Sequence, residues 1–156
     1  MTVRVRRAVV RDAQAVAGVL RQAFAEYAPL YTARAFAATT PGTTAVRVRM
    51  REGPVGRASL GEDIIGTIAA VDQREGCYIR GMGVVPDSRA RGAGSRLLAA
   101  AEEFAVKAGA RSMFLSTTPF LDRAIGLYER FGFRRSPEGP HDLFGTPLLT
   151  MTKDLP

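Results

Sequence analysis

The residue types and spacing best suited to chemistry lie between Val84 and Ser95, V-V-P-D-S-R-A-R-G-A-G-S. An apolar, β-branched run from Tyr78 to Val85 precedes this stretch, and an amphipathic helical pattern follows it. The order is strand, short turn at Pro86, basic glycine loop, helix. Backbone N–H groups approach a ligand most closely where no Cβ intervenes. The first N–H groups of a helix have no intrahelical partners, and the helix dipole favours an anion beside them. Arg89, Arg91 and Arg96 add positive charge nearby. These parts suit a phosphate or pyrophosphate group, and the same glycines would also serve as a simple turn capping the helix.

Two familiar phosphate loops are excluded. A Walker loop ends in Gly-Lys-Ser/Thr, a triplet this chain lacks. A dinucleotide fingerprint needs G-x-G-x-x-G, but from Gly92 the run is G-A-G-S-R-L, with Leu97 in the third glycine position. What remains is Arg-x-x-Gly-x-Gly at Arg89, Gly92 and Gly94.

These residues need a scaffold, and the chain is long enough to supply one. Its 156 residues suggest a single domain spanning the whole sequence, burying about two-thirds of its unfolded surface. One cysteine, Cys77, precludes an intrachain disulfide, and with one histidine, His141, a structural zinc site is not expected. No apolar run approaches the roughly 18 residues of a membrane span, so a cytoplasmic protein without membrane contact is the expectation. The net charge of +7 is carried almost wholly by arginine, which suits an anionic ligand. The arginines are scattered, without a basic tail or a basic–aromatic strand, so nucleic acid is not the expected partner.

Val3–Ala8 alternates as an opening strand, and Asp12 is placed to cap a helix over Ala13–Phe24. A tyrosine-rich turn follows to Tyr31, then a helical turn over Ala33–Ala38. Thr43–Arg51 alternates like a strand, yet Val46 and Met50 share a helix face and Gly53-Pro54 is a stop signal. Val55–Leu60 and Ile64–Val71 form a hairpin, and Tyr78 begins the next strand. Leu97, Leu98, Ala101, Phe104, Ala105 and Ala108 share one face of the helix after the loop. Ser112–Ser116 is a buried strand, Asp122–Phe131 a helix closed by Gly132, and Phe133–Arg135 starts a last hairpin. Its long loop is S-P-E-G-P-H-D-L-F-G-T-P, and Leu148–Lys153 closes the fold.

The segment Ala124–Phe133, A-I-G-L-Y-E-R-F-G-F, sharpens the reading. It resembles the A-x-x-L-Y-x-x-x-G-F signature of the Gcn5-related N-acetyltransferases. The Arg-x-x-Gly-x-Gly spacing resembles that family's coenzyme A loop. The strand I-R-G-M-G-V-V-P and the opening R-R-A-V-V-R-D-A are also similar to family segments. The resemblance implies an α+β fold, with a mostly antiparallel sheet of six to seven strands and about four helices. It also favours a helix at Thr43–Arg51. The implied cosubstrate is acetyl-CoA, with no metal. Its pyrophosphate would be held by Arg89, Ala90, Arg91, Gly92, Ala93, Gly94 and Ser95, and its pantetheine arm by the backbone of Met82, Gly83 and Val84. In this family that strand splays from the next one. Tyr128 would be the acid that protonates the departing thiolate. Many members carry asparagine where this chain has Leu121, which removes one polar cofactor contact.

Acetyl transfer to an amine needs a neutral amine, a stabilised oxyanion and a proton for the leaving thiolate. Neutralising a lysine-like amine at pH 7 costs about 4.6 kcal/mol, so a base is useful. Asp72, Glu75, Glu138, His141 and Asp142 are candidates, and each suits an exposed loop position equally well. Tyr128 on an amphipathic helix would also suit a core position. Phe24, Tyr27, Tyr31 and His141 are candidates for the acceptor site, between the first helix and the final hairpin. The partners implied are acetyl-CoA and an amine acceptor, on a monomer or homodimer. A non-catalytic acyl-CoA-binding module on the same fold is the alternative.

Overall fold

The computed structural model describes residues 2–156. β1 (Arg4–Arg7) leads through a 3-10 turn into α1 (Ala13–Phe24). A second 3-10 turn, Ala25–Leu30, connects to α2 (Ala33–Thr39) and α3 (Thr43–Glu52). Then come β2 (Val55–Leu60), β3 (Asp63–Gln73), β4 (Gly76–Val84), α4 (Ala93–Lys107), β5 (Ser112–Thr117) and α5 (Asp122–Phe131). The chain closes with β6 (Arg134–Arg135), β7 (His141–Leu143) and β8 (Thr146–Asp154).

The strands lie in the order β1-β2-β3-β4-β5-β8-β6, with β7 paired to β8. Every pairing is antiparallel except that of β4 with β5. Among the described residues there are eight strands, one beyond the expected upper count, and five α-helices, each falling on a segment read as helical. The additional strand is β7, which falls inside the segment expected to be a long loop. Its three residues pair as His141↔Leu148, Asp142↔Pro147 and Leu143↔Thr146, too short a run for alternation to stand out among prolines and glycines.

The helices cover both faces of the sheet. Leu97, Leu98, Ala101 and Ala105 of α4 are buried with Ile125 and Tyr128 of α5 in the larger core cluster, against Ile65, Ile68 and Ala70 of β3. Ala13 and Val16 of α1 join Val46 of α3, Val55 and Ala69 in a second cluster. Thr43–Glu52 is therefore helical because Val46, only 1% exposed, seals α3 onto α1. The alternating arginines around it point to solvent or to a cavity described below.

Asp12 does not cap α1, whose N-terminus has no side-chain cap. Its Oδ2 instead accepts from the Val9 N–H at 2.9 Å, and its two oxygens pair with Arg57 at 3.1 Å and Arg6 at 3.4 Å. Burial raises the Asp12 pKa, but the Val9 N–H and then the two guanidiniums outweigh it, so the carboxyl lies below its ordinary value.

Candidate active site

β4 and β5 pair only at Cys77↔Met113 and Tyr78↔Phe114. β4 continues to Val84 and β5 to Thr117, so the strands diverge and leave a V-shaped gap in the middle of the sheet. On its other side β4 stays paired with β3, but the register slips. Thr67 faces Gly83 and Ala69 faces Arg80, which places an extra residue in β4. Gly81 sits in this bulge at φ 57°, a backbone region costly for side chains with a Cβ.

Two cavities open on the gap. The first, about 390 Å3, lies between the glycine loop, β4 and α5. Of the residues expected to hold a cofactor, Met82, Gly83, Val84, Arg89, Ala90, Gly92, Ala93, Gly94 and Ser95 line it. Arg91 is exposed and does not. Arg96 is also drawn away, its guanidinium donating to the Val3 carbonyl just before β1. Arg123 and Arg130 of α5 line this cavity and supply cationic charge that the loop motif did not reveal.

The loop reaches α4 through two left-handed residues, Ala90 at φ 69° and Gly92 at φ 81°. The first bond of the helix runs from the Arg96 N–H to the Gly92 carbonyl at 3.2 Å, leaving the N–H groups of Ala93, Gly94 and Ser95 outside the intrahelical ladder. The two loop glycines have different reasons. A Cβ on Gly92 would meet nothing within 4 Å, so its requirement is conformational. A Cβ on Gly94 would stand 2.6 Å from Leu127 Cδ2 and 3.3 Å from Met82 Cε, so this glycine lets α5 and β4 close on the start of α4. Arg89 donates to the Ala23 carbonyl at 3.0 Å and pairs with Glu26, tying the loop to the end of α1.

The second cavity, about 310 Å3, lies between α2, α3, the divergent ends of β4 and β5, and the final hairpin. Tyr31, Thr39, Arg49, Tyr78, Arg80, Leu143 and Leu148 are among its walls. The turn after α1 is fastened to that hairpin: the Thr32 N–H donates to Thr146 Oγ1 at 3.0 Å, and Thr32 Oγ1 donates to the Phe144 carbonyl at 2.7 Å. Tyr31 packs edge-on against Phe120, 4.9 Å between centroids.

Phe24, Met82, Leu121 and Tyr128 line both cavities. Tyr128 is 7% exposed and stacks edge-on against Phe133 at 5.9 Å. Gly132, left-handed at φ 108°, ends α5, and the Phe133 N–H bonds back to the Tyr128 carbonyl at 2.9 Å. Burial, with a smaller contribution from Tyr31, raises the Tyr128 pKa above its ordinary value of 10.0, so the phenol keeps its proton at neutral pH. Leu121 extends the apolar wall.

Among the acceptor-site candidates, Phe24 and Tyr31 line the second cavity, Tyr27 lines only the first, and His141 lines neither. Asp72, Glu75, Glu138, His141 and Asp142 are all exposed, and none lines a cavity. No described residue lining either cavity is Asp, Glu or His. Cys77 is fully buried, and burial, then the nearby Asp72 charge, push its thiol up to about 11, which keeps it from acting as a thiolate. No group of described residues could hold a metal ion, and no described helix is long and apolar enough to cross a membrane.

Comparison with known proteins agrees with this architecture. The uncharacterized N-acetyltransferase YhfO of Bacillus subtilis is 28% identical over 92% of this chain and 97% of its own length. The PaiA N-acetyltransferase of Thermoplasma acidophilum, solved in complex with coenzyme A, superposes with a TM-score of 0.82 at 18% identity, over 99% of this chain and 100% of that one. The YncA protein of Salmonella typhimurium, solved with its cofactor acetyl-CoA, gives 0.80 at 19% identity, over 100% and 95%. Residues 18–133 match the acetyltransferase (GNAT) family, and this span runs from α1 through the divergent strands and the glycine loop to the end of α5. The chain belongs to the GNAT acetyltransferase family.

Proposed function

We propose that this protein transfers an acetyl group from acetyl-CoA to an amine by direct attack, with both substrates bound together. One observation carries the reading: Tyr128, buried and protonated, stands where the two cavities meet at the gap between β4 and β5. A donor held in the first cavity and an amine held in the second meet beside a group able to supply a proton.

The residues present fit coenzyme A. The N–H groups of Ala93, Gly94 and Ser95 with the Arg123 and Arg130 side chains bind its pyrophosphate. Met82, Gly83 and Val84 present backbone groups that β5 does not use, and these pair with the pantetheine arm as an added strand would. Acetyl-CoA, when bound, supplies the thioester. A backbone N–H of β4 polarises its carbonyl. The amine nitrogen forms the new C–N bond as the C–S bond breaks. Tyr128 gives its proton to the departing sulfur, the amine loses one to solvent and the phenolate regains one from it, since no described carboxylate or imidazole lines the cavities.

The test is a screen of amines with acetyl-CoA, reading thiol release, beside a melting curve with acetyl-CoA alone. Acetyl-CoA at a hundred times its Kd is expected to add about 2.7 kcal/mol of stability. An unchanged melting curve with saturating acetyl-CoA and coenzyme A would remove the donor from this reading. Stabilisation without thiol release from any amine would leave a cofactor-binding module.

A further inference from the structure

The second cavity has a charge pattern that the acetyl-transfer reading does not require. Arg49, from the last turn of α3, and Arg80, from β4, both line it, and no lining residue is acidic. Glu52 pairs with Arg80 at 2.6 Å from outside the lining, with its side chain 48% exposed. Arg49 has no ion pair among the described residues. The one carboxylate is thus taken by Arg80, and the cavity wall keeps an excess positive charge. Arg80 Nε is also buried without a hydrogen-bond partner.

The position of Arg49 is built into the backbone. Its Nη1 lies where a Cβ on Gly81 would come within 2.7 Å, so the bulge in β4 leaves room for the guanidinium. Burial, followed by the adjacent Arg80 charge, lowers the Arg49 pKa. Tyr78 and Glu52 act in the opposite direction, and arginine stays protonated at neutral pH. Tyr78 and Thr39 add hydroxyls to the same wall, and Tyr128 stands on the side facing the first cavity.

We infer that the acceptor is a small amine that also carries an anionic oxygen group, a carboxylate or a phosphonate-like group, which Arg49 and Arg80 bind while the amine faces Tyr128. This rests on the acetyl-transfer reading for the amine's fate, and on the cavity alone for the anion. The cavity volume of about 310 Å3 suits a molecule of amino-acid size. A polyamine would bring ammonium charge against two guanidiniums, an arrangement disfavoured by like-charge repulsion. The same positive wall helps the amine enter in its neutral form, because nearby cations lower an amine's pKa, and this offsets the absence of a base.

The experiment compares the common L-amino acids, their methyl esters, 2-aminoethylphosphonate and spermidine at fixed acetyl-CoA, reading thiol release. At least one free acid or the phosphonate is expected to exceed its neutral or cationic counterparts by about tenfold or more in kcat/KM. The better of the two anionic classes identifies the group. Arg49→Gln is expected to raise the KM of that acceptor about tenfold, to lower ester turnover far less, and to leave the acetyl-CoA KM unchanged. Arg49→Lys recovers part of the loss, and Arg80→Gln acts in the same direction. Equal or better turnover of esters or spermidine overturns the inference while acetyl transfer stands. If no amine is turned over, calorimetry of the same compounds with the coenzyme A-loaded protein decides. Binding of an acid that Arg49→Gln abolishes sustains the anion site and sinks the transfer step, whereas no binding of any acid overturns the site.

Discussion

The two cavities meet at Tyr128 but are assembled in different ways. The first is built mainly from two continuous pieces of chain, the end of β4 with its loop and the start of α4, and one face of α5. The second takes walls from α2, α3, the gap-facing ends of β4 and β5, and the last hairpin. The first relies on backbone N–H groups and glycines, the second on side-chain charge from separate elements. On the acetyl-transfer reading, the site made of backbone at a helix start takes the donor, whatever the acceptor. A site made of scattered side chains can change its acceptor by substitution without disturbing the shared part.

The strongest way to break this comparison is at the junction. Tyr128→Phe removes one oxygen and keeps the ring against Phe133. It is expected to lower kcat about a hundredfold with the acetyl-CoA Kd nearly unchanged, the lower end of general-acid effects. A kcat within about threefold of the parent would leave Tyr128 a packing residue. Because burial raises its pKa, the phenol should keep its proton throughout the neutral range. The kcat/KM profile is therefore expected to rise with pH as the amine deprotonates, with no alkaline fall below about pH 10.

Gly94→Val tests the first cavity. The new side chain meets Leu127 and Met82, so the expected result is about 1–3 kcal/mol of lost stability together with about tenfold weaker acetyl-CoA binding. Gly92→Ala, with open space around its Cβ, is expected to cost only the left-handed backbone penalty of about 1–2 kcal/mol. Equal packing losses in both variants would contradict the distinction between the two glycines.

Asp12→Asn should change stability and neither cavity. The variant leaves Arg57 and Arg6 without their carboxylate, at a cost of about 1–3 kcal/mol at pH 7, with both KM values unchanged. The folded-state pKa of Asp12 is lowered, so its contribution is present above the ordinary carboxylate pKa and is lost as pH falls through the lower folded value. The gap between the two melting temperatures should therefore close in acid. The smallest expected effect is that of Arg123→Gln or Arg130→Gln, about three- to fivefold in acetyl-CoA Kd and less at high salt. The acceptor KM should not move.

Legibility in the sequence followed the same division. The glycine loop, the Leu127-Tyr128 face and the helix at α4 could be read because their residues are neighbours in the chain or lie one helical turn apart. The bulge at Gly81 could not, because a bulge exists only as a mismatch between two strands. Arg49 read as one arginine among several in an alternating run, and its role depends on β4 packing beside α3. Arg123 and Arg130 were within the recognised helix, but nothing local says which face meets the loop. Asp12 shows a local rule losing to tertiary context: a residue suited to capping was claimed by the Val9 N–H and two guanidiniums. For β7, proline and glycine nearby outweighed a three-residue strand whose only support is its partner.

The short parallel junction between β4 and β5 has a consequence for labelling kinetics. The sheet's two halves are joined directly at only Cys77↔Met113 and Tyr78↔Phe114, and the chain's sole cysteine sits on that seam, fully buried. A thiol reagent reaches Cys77 only when the halves part or the protein unfolds. The rate of alkylation therefore clocks the opening of the seam, without any engineered probe. A ligand bridging the gap should slow that clock, and a denaturant-independent component of the rate would report separation of the halves short of global unfolding.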